Sequence, residues 1–274
     1  MIDLHTHTTA SDGQCTPPEL VARAASGGVE VLSVTDHDTT AACAPASAAC
    51  VRAGIEFVPG IEITAIVDGA DLHILGYFID PAAAALGAFL TEQRGRRLDR
   101  VRQIIERLSE HGIHLDVEAV LRPGTDDRSK AAGRPWIARA MIAAGHVATI
   151  AEAFDRWLSA GRPAFVARFG PTPEVVLREI HHAGGIASLA HPGLLGRDDL
   201  IPGLAHAGMD AIEAYHSKHR PDDTVRYITF ADRLGLAVSG GSDYHADPNA
   251  TIRIGGASLP RELYEALKTR RPSG

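Results

Sequence analysis

Nine side chains with metal-binding donors recur along this chain in short clusters: His5, His7, Asp12, His37, Glu62, His73, His191, Asp243 and His245. Imidazole and carboxylate together suit borderline divalent ions such as zinc, manganese or iron. Nine ligands exceed what one ion needs, so the set implies two or three. In Asp3-Leu4-His5-Thr6-His7 the histidines are two apart on an expected strand, so both rings leave the same face and can share an ion. Asp12, in Ser11-Asp12-Gly13, would alone read as a turn residue. His37 ends a β-branched run between Asp36 and Asp38, carboxylates placed to orient it, although Asp38 serves equally as a helix cap. Glu62 interrupts the apolar run Gly60-Ile61-Glu62-Ile63, where an uncompensated carboxylate would be costly and a metal would remove the cost. His73, alone in an apolar strand, would read as a hydrogen-bonded core residue. Ala190-His191-Pro192 and Ser242-Asp243-Tyr244-His245 close two further runs. Recurrence of such donors at successive strand ends argues for one shared site.

The elements that must position them follow from hydrophobic patterning. Seven short apolar runs read as buried strands: Ile2 to Leu4, Val31 to Thr35, Ile55 to Ile63, Leu72 to Ile79, Ile186 to Ala190, Ala211 to Tyr215 and Leu236 to Ser239. Helical stretches lie between several of them. Thr16-Pro17-Pro18-Glu19 combines an N-cap, proline in the first turn and a capping-box Glu, Thr172-Pro173 repeats the cap, and Gly54 and Gly184 read as stops. The alanine-rich run from Ala41 to Ala53 reads as a helix rather than low complexity. Strands alternating with helices imply parallel pairing, and donors at strand ends are what a (β/α) barrel presents at one mouth. The fold class is therefore α/β, a (β/α) barrel rather than a sandwich. The pattern breaks between about Pro81 and Pro163: Arg94 to His111 reads as a charged helix, Arg122 to Gly133 as a polar loop, and Pro135 to Ala144 as another helix. Residues 1–80 and 164–274 are thus assigned to the barrel and 81–163 to an inserted helical subdomain covering the active site.

A length of 274 residues and 45% hydrophobic content suffice for a core. The formal charge of −7 argues against a broad basic surface for duplex nucleic acid and leaves phosphate to be held by cations. Cys15, Cys43 and Cys50 lack paired C-x-x-C spacing and read as reduced thiols in a cytoplasmic protein. No apolar run reaches about 18 residues, so a membrane span is not expected, and no obligate protein partner is evident.

The ordered set Asp3 to His7, Thr35-Asp36-His37, Glu62, His73, Ala190-His191-Pro192 and Ser242-Asp243-Tyr244-His245 resembles the PHP family, named for polymerase and histidinol phosphatase domains. The resemblance spans the first 80 and roughly the last 110 residues, and it implies a distorted seven-stranded barrel. It further implies three ions: one on His5, His7, Glu62 and Asp243; a second on Glu62, His73 and His191; a third on Asp12, His37 and His245. In that scheme Glu62 bridges, and Glu62, Asp243 and His191 serve catalysis by holding the ions that generate hydroxide for attack on phosphorus. No residue is assigned as general acid.

Phosphate selectivity would come from Arg134 in Gly133-Arg134-Pro135 and Arg162 in Gly161-Arg162-Pro163, since arginine grips phosphate bidentately. The subgroup resembled commonly has histidine after Arg-Pro, where this chain has Trp136. It looks like phosphoesterases that convert nucleoside 3′,5′-bisphosphates to 5′-monophosphates, some of which trim 5′ ends of short RNA. Tyr215, His216 and His219 follow the sixth strand and are expected near the nucleotide; the remaining histidines read as surface or helix-end residues. The expected substrate is a small nucleotide or short single-stranded oligonucleotide. The alternatives are a histidinol phosphatase and, in another class, a non-catalytic metal-binding regulatory domain.

Overall fold

The computed structural model describes residues 1–248 and 251–271. Seven strands lie in sequence order in one sheet: β1 (Ile2–Asp3), β2 (Val31–Val34), β3 (Glu56–Val67), β4 (Ala70–Tyr77), β5 (Ile186–Leu189), β6 (Ala211–His216) and β7 (Ala237–Gly241). The sheet curls until its ends meet. Leu4 N–H donates to the Gly240 carbonyl at 3.2 Å and Thr6 bridges Tyr244, which returns β7 to the side of β1. The fold is mixed α/β, a nearly closed barrel of seven strands.

Pairing is not parallel throughout, which corrects the expectation from alternation. β4 runs antiparallel to both β3 and β5, while the other neighbours are parallel. The cause is local: β3 and β4 are joined by Asp68-Gly69, with φ of 50° and 76°. Two consecutive left-handed residues make the tight turn that hairpins favour, and Asp-Gly is its usual sequence. Reversal also explains why His73 lies near the start of its strand. The start of β4 adjoins the end of β3, and Thr64 pairs with His73.

Helices flank the strands. α1 (Pro17–Ser26) and α2 (Cys43–Ala53) follow β1 and β2. The Glu19 carboxylate accepts the Thr16 N–H at 2.8 Å, closing the expected box, and Leu20, Val21 and Ala24 form the buried stripe of α1. Gly54, at φ 68°, ends α2 in the left-handed conformation glycine adopts freely. Four helices follow β4: α3 (Ala84–Glu110), α4 (Val117–Asp126), α5 (Arg134–Ala143) and α6 (Ile150–Ala153), the last leading into a π-helical turn, Phe154–Leu158. α7 (Pro173–His182), α8 (Pro192–Leu195), α9 (Ile201–His206), α10 (Pro221–Leu234) and α11 (Arg261–Lys268) complete the set among the described residues.

The segment after β4 has its own apolar cluster, including Val101, Ile104, Leu108, Leu121, Ile137, Met141 and Leu158, whereas Leu86 and Leu90 at the start of α3 join the barrel core. The loop expected over Arg122 to Gly133 is half helix, because α4 runs to Asp126. Asp116 caps it by accepting the Ala119 N–H at 3.0 Å, and burial of Val120, Leu121 and Gly124 carries it past Pro123.

Candidate metal centre and its arginine wall

Glu62, 1% exposed, is the hub of the mouth. Its Oε2 lies 3.4 Å from His5 Nε2, 3.2 Å from His7 Nε2 and 3.1 Å from His37 Nδ1, and its Oε1 lies 2.7 Å from His73 Nδ1 and 3.1 Å from His191 Nε2. Asp243 faces His5 (3.6 Å), His7 (3.4 Å) and His245 (3.4 Å), and Asp12 faces His7 (3.7 Å), His37 (3.7 Å) and His245 (3.3 Å). All nine donors from β1, β2, β3, β4, β5 and β7, or the loops following them, therefore meet in one constellation.

Buried carboxylates hold the loops that carry these donors. Asp3 accepts Ser242 N–H and Oγ–H (2.8 and 2.6 Å) and Gly255 N–H (2.7 Å), fixing the turn before Asp243. Asp36 accepts Thr8 N–H (2.8 Å), Thr8 Oγ1–H and Ser11 Oγ–H (both 2.6 Å), so it secures the Asp12 loop rather than orienting His37. Asp38 likewise turns to Arg97 and Thr64 N–H. Glu213, fully buried, sits opposite His5 Nδ1 (2.9 Å) and accepts the His191 N–H (2.6 Å). A proton on His5 Nδ1 bonded to Glu213 leaves Nε2 bare toward Glu62 and Asp243. The sequence carried this signal, since Glu213 interrupts Ala211-Ile212-Glu213-Ala214 as Glu62 interrupts its own run. Two donors also lie on strained backbone: His191 (φ 30°) and Asp243 (φ 56°) occupy the left-handed region. Gly241 admits the close approach, because a Cβ there would stand 2.2 Å from His5 N.

The donor set fits divalent ions. Ligands at about 2.0–2.2 Å from one ion stand roughly 3–3.5 Å apart, close to the spacings seen here. Four groups of donors converge: His7, Asp12, His37 and His245; His5, His7 and Glu62; His37, Glu62 and His73; His5, His216 and Asp243. His5 Nε2, both nitrogens of His7, His37 Nδ1 and His216 Nε2 are buried without hydrogen bonds, although carboxylates lie near them. Buried nitrogens and carboxylate oxygens that converge without hydrogen-bonding one another are arranged as ligands of a shared cation. Burial opposes charge on Glu62, but His37, His73 and His5 outweigh it and hold its pKa well below the ordinary range; His245 and His5 do the same for Asp243. Both remain ionised and able to coordinate.

Beside this cluster, a cavity of about 160 Å³ is lined by the donors Asp12, His37 and His73 together with Arg97, Arg134 and Arg168. Asp71 lies among the guanidinium groups, 3.6 Å from Arg134 and 3.7 Å from Arg168. Arg134 thus stands at the mouth, with its guanidinium over the Phe154 ring at 5.5 Å. Arg162 does not. It is half exposed and pairs with Asp155 at 2.9 Å, because the turn before Pro163 faces outward. Arg97 and Arg168 gave no sequence signal, since burial of arginine on a charged helix or loop leaves no periodic mark.

The expected nucleotide contacts after β6 are also rearranged. His216 is buried in the cluster, its Nδ1 accepting Lys218 N–H (3.2 Å) and its Nε2 3.5 Å from Asp243. His219 is turned away: its Nε2 accepts Gly193 N–H and its Nδ1 donates to the Ala214 carbonyl, so backbone occupies both nitrogens. Tyr215 packs against the barrel core. Trp136 donates from its indole to the Ser11 carbonyl at 3.0 Å, bracing the Asp12 loop.

Comparison with known proteins agrees with this geometry. The profile described as PHP domain matches residues 3–159. The chain belongs to the PHP family. A 3′,5′-nucleoside bisphosphate phosphatase of Chromobacterium violaceum is 38% identical over 98% of this PHP chain and 97% of its own. The 5′-3′ exoribonuclease Rnm of Salmonella typhimurium is 37% identical over 92% and 87%. A phosphoribosyl 1,2-cyclic phosphate 1,2-diphosphodiesterase of Eggerthella lenta is 34% identical over 92% and 97%. Among solved structures, an amidohydrolase of C. violaceum with bound sulfate and no metal superimposes with a TM-score of 0.87 at 35% identity, covering 99% of this chain and 98% of that one. A protein of Bifidobacterium adolescentis superimposes with a TM-score of 0.90 at 30% identity over 99% and 96%. This PHP protein is a metal-dependent phosphoesterase, a phosphoric ester hydrolase.

Proposed function

We propose that the substrate is a nucleoside 3′,5′-bisphosphate, that the 3′-phosphate is the one removed, and that short 5′-phosphorylated RNA is trimmed at the same site. One observation carries this reading: the arginine-lined cavity opens beside the donor cluster, giving a second anion a place next to the phosphate being hydrolysed. The two relatives named for bisphosphate and 5′-3′ ribonuclease activities support it.

Two or three ions of manganese, iron or zinc would be held by His5, His7, Glu62 and Asp243, by Glu62, His73 and His191, and by Asp12, His37 and His245. Such ions supply Lewis acidity that lowers the pKa of water and offsets phosphate charge. Glu62 divides its two oxygens between the His5–His7–His37 side and the His73–His191 side, so it is placed to bridge. Glu213 and Asp36 keep the donors in register. Arg134 and Arg168 orient the second phosphate, and Trp136 steadies the Asp12 loop. A histidinol phosphate would require a free carboxylate for its amine, whereas Asp71 already faces two arginines. The three buried free cysteines suit a cytoplasmic setting, and no helix among the described residues is long and apolar enough to cross a membrane.

The test is phosphate release by manganese-loaded protein from adenosine 3′,5′-bisphosphate, AMP, histidinol phosphate and a short 5′-phosphorylated RNA. Preferred loss of the 3′-phosphate from the bisphosphate is expected. Activity confined to histidinol phosphate would overturn the assignment.

A further inference from the structure

The donor cluster has a second open edge. The inner cavity, lined by arginines, reaches it at Asp12, His37 and His73, and a separate cavity of about 260 Å³ reaches it at Asp12, Asp243 and His245. The side chains of these last three are 14%, 12% and 28% exposed, whereas His5, His7 and Glu62 are sealed. Asp12 and Pro135 border both cavities. A phosphate on an ion held by Asp12 therefore adjoins both, with no passage needed through the buried arginines.

The second cavity differs from the inner one in chemistry. Pro135, Ile150 and Ile252 give it apolar faces. Its cations are already engaged: Arg139 Nη2 donates to the Asp12 carbonyl at 2.5 Å, and Lys218 Nζ lies 3.9 Å from Asp243. Three carboxylates, Asp12, Asp243 and Asp247, also line it, which disfavours a further phosphate and leaves acceptors for ribose hydroxyl or base N–H groups. Gln14, exposed, and Lys218, half exposed, stand where it opens to solvent.

We propose that this cavity is the subsite for the downstream nucleoside of an RNA substrate, the one joined through its O5′ to the scissile phosphate. This rests on the preceding reading, in which the 5′-phosphate occupies the inner cavity and the 3′-phosphate lies on the ions. In the bisphosphate, the oxygen of water bonds to phosphorus, the P–O3′ bond breaks and O3′ takes up a proton. In RNA the same bond breaks, and the departing strand keeps the phosphate on its O5′. One phosphate oxygen is then esterified, and the nucleoside it carries must leave the cluster by an open edge. The Asp243–His245 edge leads to a cavity near the ~300 Å³ at which small-molecule pockets begin, with apolar faces for a base.

Calorimetric titration of manganese-loaded protein compares two ligands, the 5′-phosphorylated dinucleotide pApA and the analogue in which a methyl group replaces the downstream nucleoside. Both carry CH₂ in place of the scissile O3′, so neither turns over. The dinucleotide should bind about tenfold more tightly, in the range of one base on an apolar face. Ile150→Glu, which puts a carboxylate on that face, should cut the ratio to about twofold or less. With 2-aminopurine as the downstream base, binding to the parent protein should reduce quenching of its fluorescence by acrylamide. Equal affinities for the two ligands would overturn the proposal, as would a ratio that survives the substitution or quenching unchanged by binding. Failure to hydrolyse adenosine 3′,5′-bisphosphate would instead sink the substrate assignment, while the comparison of the two ligands still reports on this cavity.

Discussion

The identity of Glu213 shows how a residue that touches no substrate can set the chemistry of one that does. Its two oxygens meet two donors, His5 Nδ1–H and the His191 backbone N–H. Burial works against its charge, but His5, through Coulombic attraction and the hydrogen bond, holds its pKa below the ordinary value. Glu213→Gln replaces one acceptor by an NH₂ group, so one of the two donors faces another donor. Metal affinity should fall about 10–100-fold, the usual effect of losing such an outer carboxylate, and competition with a chelator measures it. A variant that binds metal as tightly as the parent but melts earlier would assign Glu213 a structural role only. At this scale most donors were legible because each is a polar residue in an apolar run. His216 reads from the sequence as a substrate contact and lies instead in the donor cluster, since spacing along β6 does not reveal how deeply the ring is buried.

At the scale of elements, the strands and most helices follow from apolar runs, caps and stops, while the direction of β4 follows from the Asp68-Gly69 turn. Alternation of strands and helices predicts parallel pairing throughout, and a two-residue turn overrides it locally. One carboxylate, Asp210 before β6, joins three elements: it accepts the β5 Ala187 N–H at 2.8 Å and bonds His181 in the last turn of α7 at 2.7 Å. That hydrogen bond raises the His181 pKa above 6.5 despite partial burial. A raised folded-state value means the pair contributes fully below the unfolded value and loses its contribution as pH rises through the folded one. His181→Ala should therefore destabilise more at about pH 5.5 than at about pH 9, by under ~1 kcal/mol because the ring is one-third exposed. Urea unfolding at the two pH values checks the sign. An equal loss at both would show that packing, not charge, holds α7.

Across the whole molecule, the helical segment after β4 meets the barrel through polar contacts at the loops that carry the donors. Ala131 N–H donates to the Ala10 carbonyl (3.0 Å), Trp136 to Ser11, Arg139 to Asp12, and Arg94 and Arg97 to Asp38. Composition could not show this, because the contacts pair residues far apart in sequence and none interrupts a pattern. The Arg97–Asp38 pair is the most buried of them, with side chains 7% and 3% exposed. Removing one partner of a buried ion pair strands the other, at a cost of about 3–5 kcal/mol. Asp38→Ala should lower unfolding stability by that amount and leave Arg97 without its anchor. Arg97 also edges the inner cavity, so its displacement should weaken binding of the bisphosphate more than it slows turnover, raising KM more than it lowers kcat. Parallel urea unfolding and steady-state kinetics test both halves of the prediction. A fall in kcat at unchanged KM would place the contribution of this contact in the donor cluster, reached through the neighbouring His37, rather than in the arginine wall.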